Sequence, residues 1–222
     1  MVPVNLAGVG LQVYGADATQ SPKNVPLEDG RWRFAPEPSA KGGHYWMQAA
    51  EVRGAETRTA TTAWSFGTQG KSPAAMLAQA KGSLDIVPLR IPEHGGFREG
   101  TAWEFGVRYE GQPLPGAVLH LHTENGTRTR VVADAEGVAK VLFPRDFDPA
   151  SFDKVAGADR TRRGFVLMTE LEPEGRKFVT AFNHFYYPDT MRGRNLWAGA
   201  GLFVIGMLCA APLLRHRERN NA

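Results

Sequence analysis

The chain has 222 residues, of which 42% are hydrophobic and 22% charged, enough for one or two small domains. Its formal net charge of +3 is uneven: from Arg192 onward five arginines face one acid, so residues 1–191 carry about −1, and no basic face is evident of the kind a nucleic-acid binder needs. The one cysteine, Cys209, excludes an internal disulfide, a cysteine-based metal site and a catalytic thiol from the globular part.

Residues 1–20, MVPVNLAGVGLQVYGADATQ, lack a basic start, and their apolar stretch is short and broken by glycine, so they do not read as an export signal. Strand signals dominate the rest of the globular part. Leu84–Ile91, Ala102–Tyr109, Ala117–Thr123, Thr127–Val132, Val138–Phe143, Gly164–Glu170 and Lys177–Asn183 are short, rich in β-formers and bounded by turns. The turn signals are Glu110-Gly111, Asn125-Gly126, Glu136-Gly137 and Glu174-Gly175. Pro144–Arg163 is a polar insertion without a period. Seven short strands in about 100 residues suggest an immunoglobulin-like sandwich.

The first 80 residues carry a partial copy of that plan. Ala7-Gly8-Val9-Gly10-Leu11-Gln12-Val13 aligns with Pro115-Gly116-Ala117-Val118-Leu119-His120-Leu121. Glu28-Asp29-Gly30-Arg31-Trp32-Arg33-Phe34 aligns, with small gaps, with Ala135 through Phe143, and Tyr45–Phe66 aligns with Phe165–Phe185. An internal repeat resets the fold expectation. It becomes all-β: two tandem Ig-like β-sandwich modules, residues 1–80 and 81–190, with the first incomplete. On this alignment Met1 falls near Glu110, so the first copy has no counterparts of Leu84–Ile91 and Ala102–Tyr109. Together with the lack of an export signal, this points to a chain truncated at its N-terminus. The alternative is a naturally smaller first module.

Leu196 to Leu214 is a run of 19 residues without a charge. As a helix it spans about 28 Å, close to the hydrocarbon thickness of a bilayer. Trp197 stands at one end and arginines bracket both, so residues 195–215 are expected to form one transmembrane helix. Three arginines follow it against two before it. That bias favours a cytoplasmic tail, 216–222, and a periplasmic globular part on a bacterial inner membrane.

Gly111-Gln112-Pro113-Leu114-Pro115-Gly116-Ala117-Val118, followed by Ala133-Asp134-Ala135-Glu136-Gly137-Val138-Ala139, resembles the turn and core pattern of carboxypeptidase-regulatory-like bacterial sandwich modules. With Leu84-Asp85-Ile86-Val87-Pro88-Leu89 ahead of it, the stretch is similar to a bacterial periplasmic family of unknown function that carries the label nickel/cobalt uptake transporter component. The likeness covers about residues 5–187. It implies a sandwich fold and a membrane-anchored accessory role in transition-metal uptake, with a membrane transporter complex as partner. Complete members begin with a signal peptide and a mature start carrying a histidine near an aromatic, and this sequence has neither.

Candidate chemistry centres on His120 and His122. Two apart on a strand, they share a face, and neutral imidazoles at that spacing suit one divalent ion such as nickel, cobalt, copper or zinc. The bland reading is an exposed polar strand face, with Leu119 and Leu121 opposite. His184 is expected beside Tyr186 and Tyr187 at the membrane interface, or else capping a metal site. His44 and His94 are expected in solvated loops, and His216 belongs to the tail. Trp32, Trp46, Trp64 and Trp103 read as core filling, with a carbohydrate platform as the alternative. No nucleophile elbow, paired zinc-protease histidines or phosphate-cradling glycine loop appears, so no enzyme is expected. The expected function is a membrane-anchored binding or accessory protein; the alternative is a structural or interaction sandwich without metal.

Overall fold

The computed structural model describes residues 9–36, 43–66, 71–92, 96–148 and 161–189. The apolar segment Leu196–Leu214, the basic tail, Cys209, His94 and His216 lie outside them. No helix among the described residues is long and apolar enough to cross a membrane. Residues Met1–Pro188 form one unit, and Asp189–Ala222 form a second that lies almost wholly outside the described residues.

The described chain is mostly β, as its alternating pattern and turn residues dictate. The first half gives β1 (Leu11–Gly15), β2 (Lys23–Val25), β3 (Gly43–Arg53) and β4 (Glu56–Phe66). One helical turn, α1 (Ala74–Ala78), leads to β5 (Leu84–Pro88), β6 (Phe97–Arg98), β7 (Ala102–Tyr109) and β8 (Gln112–Pro113). Then come β9 (Val118–Thr123), β10 (Arg128–Val132), β11 (Val138–Leu142), β12 (Arg163–Leu171) and β13 (Lys177–Tyr187). All seven strands expected in the second half are present, with ends shifted by a few residues. The short β6 and β8 and the helix α1 carry no sequence period and were not anticipated. At Glu110-Gly111 and Glu174-Gly175 both residues have positive φ (48° and 77°, 52° and 74°), the geometry that matches a tight turn to strand twist.

Two sheets form. The larger runs β10-β9-β12-β13-β4-β3-β1-β2, with β6 also on β13; the smaller runs β11-β7-β5, with β8 on β7. Their facing residues make one core: Ile86, Phe105, Val107 and Val141 from the small sheet meet Leu119, Leu121, Leu167 and Phe182 from the large one, all with zero exposure. Phe97 lies among these rings, with centroids 4.8 Å from Trp103, 5.4 Å from Phe143 and 5.3 Å from Phe165. The large sheet crosses from one half of the chain to the other at β13 and β4, which pair in parallel from Lys177↔Glu56 to Phe182↔Thr61.

The sequence repeat is visible in the ladders. In the first half Val13 pairs with Met47 and Met47 with Thr62. In the second, Leu121 pairs with Leu167 and Leu167 with Phe182. Thus β2, β1, β3 and β4 stand where β10, β9, β12 and β13 do. Because the copies meet through two parallel strands, they are related by a rotation about an axis along the strands. Such a rotation exchanges the two faces of a sheet. The core of the second copy therefore lies on one face, and that of the first (Leu11, Val13, Val25, Trp32, Met47 and Ala49) lies on the other. Residues 31–35 occupy the place of β11. Among the described residues no strand of the first half stands where β5 and β7 stand in the second.

Candidate functional site

The face of the large sheet turned away from the small sheet carries the candidate site. It begins where β4 and β13 part. After Phe182↔Thr61 their ladder ends, and β13 next pairs with β6 at Tyr186↔Phe97. The freed carbonyls take side chains instead: Asn183 Nδ2 donates to Thr61 O at 3.4 Å, and His184 Nε2 donates to Ala63 O at 3.0 Å. His184 Nδ1 accepts the Phe185 N–H at 2.8 Å, which assigns the proton to Nε2. Its ring stacks on Phe182 at 6.1 Å and 13°. Burial pushes its pKa below the usual imidazole value, so the ring is neutral at pH 7. His184 therefore faces the protein interior rather than a membrane interface, and its neighbour Tyr186 has zero exposure. The Tyr186 hydroxyl donates to Asp146 Oδ1 at 2.6 Å, and Thr123 Oγ1 donates to Asp146 Oδ2 at 2.9 Å, tying the start of the 144–163 insertion to the core.

Above this parting lies a groove of about 750 Å³, walled by Thr62, Trp64, Val166, Asn183, Phe185 and His122. Its surface is mostly apolar because Trp64, Phe185 and Val166 all occupy outward positions. At its mouth Glu124 is tied down, with Oε2 accepting the Gly164 N–H at 2.7 Å, and the Arg162 guanidinium sits 4.2 Å from the Phe185 ring centre. On the other side of Trp64 a second groove, of about 500 Å³, runs over Leu11, Met47 and Phe66 beside residues 32–35. Trp64 belongs to both, so the two form one apolar trough along the sheet. Concave sites of this size and lining are the usual form of ligand sites.

The strand faces around His120 and His122 are as expected: Leu119 and Leu121 point inward with zero exposure, and the histidines point outward. Across the sheet His120 stands between Arg130 and Met168, and His122 between Arg128 and Val166. Among the described residues no group of three or more His, Cys, Asp or Glu side chains is placed to hold a metal. His184 brings no third ligand to the pair, since both its nitrogens are engaged.

His44 is not in a loop: it opens β3, with Nδ1 2.8 Å from Ser65 Oγ. Of the tryptophans, Trp32 (5% exposed) and Trp46 (0%) fill cores, while Trp103 is half-buried under the Arg90 guanidinium at 4.7 Å and Trp64 lines the trough. The joint between the halves holds a buried charge cluster. Lys81 Nζ donates to Met76 O and to Gln79 O (2.7 Å) and lies 4.9 Å from the Trp46 ring centre; burial lowers its pKa to about 8. Asp85, raised by burial, accepts the Lys81 N–H at 3.1 Å. With its ammonium spent on carbonyls and a ring face, Lys81 clamps the joint. Sequence reasoning missed the trough. The available signal was Phe165-Val166-Leu167-Met168, apolar at consecutive positions and therefore on both faces of its strand.

Compared with protein-family models and with curated proteins, the chain matches none.

Proposed function

We propose that this chain is a membrane-tethered binding protein: paired Ig-like β modules, held outside the cytoplasm by the apolar segment Leu196–Leu214, that take up a partner in the trough on the outer face of the large sheet. The observation that carries this reading is the apolar lining at Trp64, Val166 and Phe185, outward positions that a half-buried strand ordinarily fills with polar residues. A photo-crosslinking amino acid placed at Val166 or Phe185 in intact cells should give one discrete adduct, and the same group at the exposed Lys140 should give none. Equal labelling at the three positions, or none in the trough, would count against the site. Tethering is tested separately. A reporter active only outside the cytoplasm should work when inserted before Leu84 and be silent after Ala222.

A second reading, accessory function in nickel or cobalt uptake, draws on His120 and His122 sharing one exposed face and on the family resemblance. Titration of the full chain with nickel, cobalt, copper and zinc tests it: saturable binding that requires both histidines supports it, and its absence removes it.

A further inference from the structure

The walls of the larger groove say what chemistry it can hold. Its floor is β12, which is laddered to β9 on one side and to β13 on the other, so the backbone beneath a ligand is already bonded. Polar side chains in the walls are engaged as well. Asn183 Nδ2 donates to Thr61 O, and both ring nitrogens of His184 have partners. Thr123 Oγ1 donates to Asp146 Oδ2, and Glu124 Oε2 accepts the Gly164 N–H. What the groove presents is the hydrocarbon of Val166, Trp64 and Phe185. A peptide laid there would take amides out of water without giving them partners, which costs free energy. A hydrocarbon chain has no such groups to satisfy.

The charges around the groove are not symmetric. On the outer face one row across the sheet runs Glu124, Gly164, Phe185, and the Arg162 guanidinium lies over that ring, so an anion and a cation meet at this end. The next two rows open on cations. One runs Arg128, His122, Val166, and the other runs Arg130, His120, Met168. Both arginines are exposed. His122 is part of the groove wall, and Arg128 stands one strand spacing, about 5 Å, beyond it. The β9–β10 end of the groove thus has the positive charges of Arg128 and Arg130, with two imidazoles that can donate ring N–H groups. An apolar channel with a basic border is complementary to an amphiphile that has a hydrocarbon chain and an anionic head. A guanidinium takes a carboxylate through two parallel hydrogen bonds. A head at β9 gives onto this one groove, the second lying beyond Trp64, so the site suits a single chain.

We infer that the trough is a fatty-acid site: a long-chain carboxylate lies with its chain over Val166, against Trp64 and Phe185, and its head on Arg128, with His122 and Arg130 beside it. This rests on the trough being the binding site. The groove of about 750 Å³ is within the usual size of a small-molecule site.

The test uses palmitic acid carrying a mid-chain diazirine, added to the full chain in phosphatidylcholine nanodiscs and irradiated, with adducts located by mass spectrometry of proteolytic fragments. Adducts at Val166 and Phe185 are expected, saturating with dose and displaced by unlabelled palmitate. Arg128→Gln with Arg130→Gln should lower this labelling about tenfold, the scale of one lost charge-assisted contact. Lys23→Gln with Lys140→Gln removes the same charge from other exposed positions and should leave it unchanged. The methyl ester of the probe keeps the chain and loses the charged head, and should also label about tenfold less. Labelling that is absent, that does not saturate, or that ignores the arginine pair or the ester would each overturn the assignment. So would an equal loss with the lysine pair, which would reduce the effect to net charge. If a crosslinker at Val166 captures a polypeptide in cells while palmitate fails, the trough remains the binding site and only the fatty acid falls. Adducts within Leu196–Leu214 report on the tether separately.

Discussion

In the second half of the chain Leu121, Leu167 and Phe182 stand in one row across the sheet, all with zero exposure, because β5, β7 and β11 close over them. The equivalent row of the first half is Val13, Met47 and Thr62, and, among the described residues, 26–36 lie over it, chiefly through Trp32 and Phe34. The strands, the register and the alternation are the same in both rows. What differs is the second layer. Sheet formation thus comes from the local pattern, whereas depth of burial is set by whatever covers the sheet, and the trough lies where that cover stops.

The largest effect that sharpens this comparison comes from truncating one residue in each row. Phe182→Ala removes a ring packed against Trp46 at 5.7 Å and Phe105 at 5.8 Å in a closed core, and should cost about 3–5 kcal/mol in urea unfolding. Met47→Ala, under a cover that collapses more readily, should fall at the low end for such a truncation, about 2 kcal/mol. Amides of β1 and β2 should also exchange faster than those of β12. Equal losses at the two positions would mean that the first-half core is sealed as tightly as the second, and the distinction between them would fail.

A smaller effect should appear with pH at the parting of β4 and β13. Burial lowers the folded-state pKa of His184, so the unfolded chain takes up the proton first as pH falls. The His184 contribution to stability is therefore fully present above about 6.5 and is lost as pH drops from there toward the lowered folded value. The folded ring gains its proton only by giving up the Phe185 N–H bond to Nδ1. In His184→Gln, whose amide can still donate to Ala63 O, the loss between pH 7 and 5 should be visibly flatter than in the wild type. The Asp17–Lys71 pair does not confuse the measurement, because its carboxyl is held down to about 2 by hydrogen bonds from Lys71 and Thr19 and titrates at lower pH. Parallel curves for the two proteins would show that the His184 ring is open to solvent in the folded chain.

Much of the β character was legible in the sequence. Alternation in Val118–Thr123 and Val138–Leu142 fixed which side chains face inward, and Gly-containing turns fixed where strands reverse. The repeat was legible too, through the matched Leu119 and Leu121 against Leu11 and Val13. The parallel contact of β4 with β13 was not, because it joins residues about 120 positions apart and leaves no local trace. His184 was misplaced for the same reason: beside Phe182 and Phe185 of its own aromatic run, its surroundings come from Ala63, Phe97 and Phe165 on distant strands. The trough needed both pieces of information, since Trp64 and Phe185 become neighbours only through that parallel contact.

The smallest effect concerns His120 and His122. Both project from the outer face of β9, and the core side of that strand is supplied by Leu119 and Leu121, so folding makes no demand on the imidazoles. Replacing both with Gln should change stability by no more than about 0.5 kcal/mol, as for ordinary surface positions. A loss of several kcal/mol would mean that the two faces of β9 are reversed. The same variant decides the metal reading. Two imidazoles alone bind a divalent ion weakly, and here Arg128 and Arg130 stand directly opposite them and repel a cation. A useful site then requires further ligands from a partner. If one forms, wild-type binding of nickel or zinc should be saturable, and the double variant should bind at least about tenfold more weakly. Removing the arginines instead, as Arg128→Gln with Arg130→Gln, should strengthen any such binding. Metal affinity that ignores both pairs of substitutions would take the site away from β9 altogether.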